Sequence, residues 1–255
     1  MITIKNNLVI RKMQRAGELL VHIFDELKQQ LHVGISTGAV DEWIGKQLKA
    51  RGLMSATKGY MGYQHVSCIS VNDEVVHGVP SFTRFLSARD MVKVDVCAAW
   101  QGYHADMARI FFIGDAVCPE AYALGEVARS ALDKGIEMAY PGNRLSDISA
   151  AIQCEVERHG FGVVRDFAGH GIGKRMHEDP EILNYGKTGK GPVLRAGMVF
   201  AIEPMITKGG YEVFVADDGW TVKTVDGSLA AHVEDTVLIT ELGPRVLTTI
   251  GTSIL

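Results

Sequence analysis

Apolar residues recur at helical spacing in four stretches of the chain and alternate with polar residues through most of the rest. Met13, Ala16, Leu20, Ile23, Leu27 and Leu31 predict an amphipathic helix over 12–31. A second helix is expected from Ser36 or Thr37 as N-cap, burying Val40, Ile44 and Leu48 and stopping at Gly52. Pro119 suits the first turn of a third, running to about Tyr140, where Pro141-Gly142 breaks it. The fourth starts near Leu145, buries Ile148, Ile152 and Val156, and ends at Gly160. Elsewhere the period falls to two, which predicts strands over 66–71, 91–113 as a hairpin, 162–167, 198–203, 211–222 and 229–240. A short strand after an Asn72-Asp73 turn leads to His77-Gly78-Val79-Pro80, and residues 81–90 read as a link. The strand 162–167 is followed by the glycine-rich 170–173, where His170 between glycines can end a strand, and by a loop bearing His177-Glu178-Asp179-Pro180. Helix pairs followed by antiparallel strands, twice over, predict an α+β domain with helices packed on one side of a curved sheet.

The fourth helix answers the second at a constant offset of 108 residues: Gly34 with Gly142, Val40 with Ile148, Ile44 with Ile152, Leu48 with Val156, Gly52 with Gly160. The same offset carries Asp95 onto Glu203, so each half brings one strand acid to a related place. One domain over 1–255 is expected, built of two related halves of about 1–115 and 116–255.

In the hairpin, Asp95 and Asp106 are equidistant from a turn around Trp100, Gln101 and Gly102, which predicts that they face each other directly. Two opposed carboxylates repel unless one keeps its proton or a cation sits between them. A solvated edge hairpin is the ordinary reading, and a metal site is the alternative. Asp95, Asp106, Glu203 and Glu234 all interrupt apolar strand sequence, and Glu203 sits in Val-Phe-Ala-Ile-Glu-Pro-Met, which should be buried. A buried carboxylate needs a partner or a metal.

Composition narrows the classes. The 255 residues, 47% apolar and 22% charged, are enough for a sizeable core without disulfides. A formal net charge of −4 leaves no electrostatic footprint for nucleic acid or acidic membranes. No apolar run reaches membrane-span length, and the first thirty residues lack a signal-peptide core. Cys68, Cys97, Cys118 and Cys154 lie far apart and never as Cys-x-x-Cys, which fits a reducing cytoplasm.

With these residues placed, the chain resembles the type I methionine aminopeptidases of the pita-bread metallopeptidase family. The matching stretches are 72–80, 94–95 with Asp106, 169–173 with 177–180, 197–205, 218–223, and Glu234 with Thr236. The resemblance implies a pita-bread fold and two divalent ions, of cobalt, manganese, iron or zinc, held by Asp95, Asp106, His170, Glu203 and Glu234, with Asp106 and Glu234 shared between them. It implies a metal-bridging hydroxide as nucleophile and Glu203 as an additional general base. His177 would steady the carbonyl oxygen and His77 would act near the scissile nitrogen. Tyr60, Tyr63, Cys68 and Trp220 would line the pocket for the methionine side chain.

The implied substrates are N-terminal methionine peptides and nascent chains with a small second residue, met by a cytoplasmic monomer, with the ribosome as a candidate partner. The chain departs from the family pattern at Ala105, Met107, Asp235, Met61 and Met176. Only thirty residues separate Glu203 from Glu234, too few for the helical insertion of type II enzymes. X-Pro peptidases share the ligands, and a non-catalytic binding protein on the same fold is a third reading.

Overall fold

The first two helices start at a side chain that settles an unpaired N–H of the first turn. In the computed structural model, which describes residues 1–249, helix α1 (Asn7–Leu27) begins at Asn6, whose side chain accepts the Val9 N–H at 3.0 Å. That cap sets the start earlier than the apolar period alone indicates, and Leu31 falls beyond the helix end. Helix α2 (Thr37–Ala50) is capped by the Ser36 hydroxyl, 3.2 Å from the Ala39 N–H. Strands β1 (Met54–Ser55), β2 (Cys68–Val71), β3 (Glu74–Val76), β4 (Met91–Trp100) and β5 (Tyr103–Phe112) follow. Helix α3 (Pro119–Met138) opens on its proline, and helix α4 (Leu145–Glu157) on the Asp147 carboxylate, which accepts the Arg144 N–H at 2.8 Å. The second run of strands is β6 (Gly162–Val163), β7 (Ala168–Gly171), β8 (Glu178–Leu183), β9 (Val199–Ile202), β10 (Met205–Thr207), β11 (Val213–Val215), β12 (Val222–Thr224), β13 (Ala230–His232), β14 (Glu234–Thr240) and β15 (Gly243–Val246).

Several sequence expectations change here. The stretch 211–222 is a hairpin of β11 and β12 whose turn carries Trp220, not one strand. Its turn is built by Asp218, whose carboxylate accepts the N–H groups of Trp220 and Thr221 at 2.9 and 2.8 Å. The stretch 229–240 divides at Val233, so that β13 pairs with β10 and β14 with β5 and β9. His170 and Gly171 close strand β7, and the His177 segment, expected as a loop, runs straight into β8.

The main antiparallel sheet has nine strands, ordered β1-β4-β5-β14-β9-β7-β8, with β2 on β4 and β15 on β14. Reading outward from the β5–β14 seam, β5 and β4 on one side correspond to β14 and β9 on the other. The 108-residue offset reappears as backbone geometry. Gly34 N–H bonds the Leu86 carbonyl at 2.8 Å, and Gly142 N–H bonds that of Leu194 at 3.0 Å. Thr37 to Arg84 at 2.9 Å is matched by Leu145 to Pro192 at 3.0 Å, and the isolated bridge Ser36–Phe85 by Arg144–Val193. Each helix pair packs on its own core. One joins α1 and α2 to Val92, Val94, Val96 and Met107, and the other joins α3 and α4 to Phe200, Ile202 and Val237. Among the described residues no helix is long and apolar enough to cross a membrane.

Candidate active site

Strand alternation decides which side chains reach the site. Val92, Val94 and Val96 enter the helix-covered core, so Asp95 and Cys97 point to the opposite face, where both line a cavity of about 710 Å³. The hairpin turn is Gln101-Gly102, with φ of +49° and +78°, the left-handed pair that matches strand twist in a two-residue turn. It sets Trp100 against Tyr103, Cys97 against Asp106 and Asp95 against Ala108. The expected direct opposition of Asp95 and Asp106 is therefore off by two residues. A shift of two preserves the face. The two acids are diagonal neighbours, close enough for their carboxyl groups to hydrogen-bond.

The remaining donors come from three other segments. Glu234 opens β14 opposite Ala108, Glu203 follows the end of β9, and His170 sits in β7 beside it. A Cβ on Gly169 would lie 2.4 Å from the Ala201 carbonyl oxygen, and one on Gly171 2.0 Å from that of Asp179, so only glycines let β7 lie this close to its neighbours. His170 Nε2 is thereby 3.6 Å from Glu203 and 3.9 Å from Asp106. Donor atoms of Asp106, His170 and Glu234 lie within 4.8 Å of one another, as do those of Glu203, His232 and Glu234. Asp95 belongs to neither group. His232, which the sequence places on one strand face with Glu234 and Thr236 but gives no role, brings its Nε2 within 3.4 Å of Glu203.

Thr236 locks the seam between the halves, its hydroxyl accepting the Asp106 N–H and donating to the Asp106 carbonyl, both at 2.8 Å. Asp235 turns its carboxylate away to Arg129 at 2.9 Å and to Arg109.

So many acids in one dry place strain the charge balance. Burial, then the Glu203 charge, pushes Asp106 up to about 7, and burial pushes Glu203 up to about 8. Burial and the Asp106 charge raise Asp95 and Glu234 well above the carboxylate range. Burial lowers His170, His77 and His232 to about 4 each, leaving neutral imidazoles. Among the described residues, Asp106 Oδ1, Glu234 Oε1 and His232 Nε2 are buried without a hydrogen-bond partner. Unpaired buried oxygens beside neutral imidazole nitrogens are what a divalent cation neutralises, so the donor set fits metal binding.

This balance predicts the pH response of the protein stripped by chelator. A raised carboxyl contributes stability that is full below its unfolded value near 4 and lost as pH rises through about 7 for Asp106 and about 8 for Glu203. The lowered histidines work oppositely, losing stability only as pH falls below about 6.5. Between pH 6.5 and 8 the raised acids outnumber the one buried cation that changes in the opposite sense, Lys93, which burial lowers to about 7, so the melting temperature of the stripped protein should fall across that range. Added manganese should raise it most at the alkaline end, with proton release. A flat or rising profile in chelator would contradict the assignment.

The rim carries the remaining residues. His77 has φ of +58°, and a Cβ on the following Gly78 would lie 2.3 Å from the Ile69 carbonyl oxygen, so the loop is pressed onto β2. His177 is exposed, its Nδ1 3.0 Å from the Tyr60 hydroxyl and its ring edge-on to His170 at 4.4 Å. Tyr63 and Trp220 meet edge-on at 5.0 Å, and Tyr63 donates to the Ser67 carbonyl at 3.0 Å. Burial raises both the Tyr63 phenol and the Cys68 thiol, so this wall is uncharged. Asp95, Asp106, Glu203, Glu234, His170, His77, His177, Tyr60, Tyr63, Cys68 and Trp220 all line the one cavity.

Comparison with known proteins agrees with this geometry. Residues 11–241 match the model of metallopeptidase family M24. A methionine aminopeptidase of Clostridium acetobutylicum is 46% identical over 248 residues, covering 97% of this chain and 99% of that protein. Its counterpart in Bacillus subtilis is 44% identical over 236 residues, 92% and 94% of the two chains. The crystal structure of a methionine aminopeptidase from Thermotoga maritima superposes with a TM-score of 0.95 at 44% identity, covering 97% of this chain and 99% of that one. The curved sheet with its two-fold related helix pairs is the pita-bread fold, and the chain belongs to metallopeptidase family M24, among its methionine aminopeptidases.

Proposed function

We propose that the protein removes methionine from the N-termini of nascent proteins and peptides, preferring a small second residue, with two divalent ions held by Asp95, Asp106, His170, Glu203 and Glu234. The observation that carries this reading is the meeting of acids from both halves with a neutral imidazole on the floor of a cavity whose other wall is aromatic and uncharged. Bound there, cobalt, manganese, iron or zinc would polarise the first peptide carbonyl and supply a nucleophilic hydroxide near neutral pH.

The chain's own groups do the rest. Glu203, a carboxylate once its charge is balanced by bound cations, takes a proton from the attacking water. Tyr60 donates its hydroxyl hydrogen to His177 Nδ1, which leaves the Nε2 proton for the developing oxyanion. His77, neutral and pressed to the cavity wall, stands near the scissile nitrogen for proton delivery. Tyr60, Tyr63, Cys68 and Trp220 receive the methionine side chain, and the polarisable thioether suits such aromatic company. The chain acts as one domain of two related halves, about 1–115 and 116–255, as a cytoplasmic monomer.

The test is a peptide panel. Protein loaded with manganese or cobalt should cleave Met-Ala-Ser, spare Met-Leu-Ser by at least about 10²-fold, and leave Ala-Pro peptides intact. Cleavage of the proline peptide alone would point to a prolyl-specific peptidase. Absence of any cleavage with metal bound would point to a binding protein.

A further inference from the structure

The loop that carries His177 is fastened by a buried ion pair that the reaction itself does not use. Residues 173–178 turn back on themselves around the Glu178 carboxylate. Its Oε1 accepts the N–H groups of Lys174 at 2.8 Å and Arg175 at 3.2 Å. Its Oε2 accepts from the Thr3 hydroxyl and the Lys5 ammonium, each at 2.7 Å. The Lys5 and Glu178 side chains are each only 7% exposed. Burial opposes the Glu178 charge, yet the hydrogen bonds from Lys5 and Thr3 bring its carboxyl down to about 2. Lys5 is fixed in turn by its N–H on the Gly197 carbonyl at 2.7 Å, two residues before β9 and the same segment that leads to Glu203. The pair is accommodated because position 173 is glycine: a Cβ there would lie 2.5 Å from the lysine Cε and 2.8 Å from Glu178 Oε1.

A buried ion pair is a poor source of net stability compared with apolar side chains of the same volume, whereas charge-assisted hydrogen bonds of fixed direction hold a backbone in one geometry. What this one holds is the peptide unit next to His177, an exposed imidazole at the cavity rim. The N-terminal segment thus ties the His177 loop to the strand that delivers Glu203. We propose that Lys5, acting through Glu178, is a positioning residue for His177, setting where that imidazole meets the substrate carbonyl. The proposal rests on the role given to His177 above.

A double-mutant cycle on the manganese-loaded full chain tests it, with Met-Ala-Ser as substrate and metal content measured for each variant. Lys5→Met should lower kcat by about 10²-fold, the cost of a displacement of order 1 Å in a positioned group, with KM and metal content little changed. Lys5→Arg, which keeps the charge and a donor, should recover most of the loss. In a His177→Ala background, Lys5→Met should cost less than about twofold more, because the group it positions is gone. Equal losses in both backgrounds, or full kcat in Lys5→Met, would overturn the proposal while leaving His177 its role. A silent His177→Ala would remove that role and the proposal with it. If Lys5→Met does not fold, Glu178→Gln carries the same cycle, since it discards the charge but keeps an oxygen for the backbone donors.

Discussion

Glu234→Gln is expected to abolish peptide hydrolysis, with turnover falling on the order of 10³-fold or more, because under the proposed function several kcal/mol of charge stabilisation in the transition state depend on ions that Glu234 would help to hold. The substitution keeps the shape of a side chain that is 2% exposed and removes its charge from the centre of the donor set. Metal content measured after dialysis should drop together with activity. A second readout separates lost ligation from misfolding. In chelator at pH 8 the variant should melt higher than the parent, since Glu234 is buried among Asp106, Glu203 and Asp95 and its charge is opposed by all three. With manganese the order should invert. A variant that keeps full metal content and activity would remove Glu234 from the site, and one that melts lower than the parent in chelator would remove the repulsion.

His177→Ala is expected to cut kcat by roughly 10²- to 10³-fold, the usual cost of losing one positioned donor to a developing oxyanion. Metal content should stay at the parent level. Although the His177 ring lies edge-on to His170, its Nδ1 is engaged by Tyr60, and it stands at the rim rather than among the donors. Its partial burial and the nearby His104 lower its pKa, which favours the neutral imidazole with one N–H to give. Turnover on Met-Ala-Ser and metal analysis of the same sample check the two halves of this expectation. Unchanged turnover would strip the residue of its role. Parallel loss of metal would show it to be a ligand instead.

The helices were legible because their signals are local. Ser36 beside the period of Val40, Ile44 and Leu48 specifies both a start and a buried face, and the recurrence of that pattern 108 residues later marks the second half. The acids were legible because each interrupts an apolar strand. The failures have a common origin. A period of two says that His232 and Glu234 share a face, but not that the chain changes sheets at Val233 between them. Nor does it show that the polar run holding Asp218 is a turn that presents Trp220 to the cavity.

The sequence by itself determined which residue types face which way, since alternation along a strand follows from covalent geometry alone. It therefore placed Asp95 and Asp106 on one face whatever the register. Only the tertiary structure decided how far apart they stand, because the left-handed backbone at Gln101 and Gly102 moved the pairing by two residues. Only the tertiary structure, too, brought Glu234 against Ala108 and His170 against Glu203, through pairings between segments more than a hundred residues apart or crossing between neighbouring strands. Such contacts depend on the whole sheet closing around its seam, and no local stretch of chain carries that information.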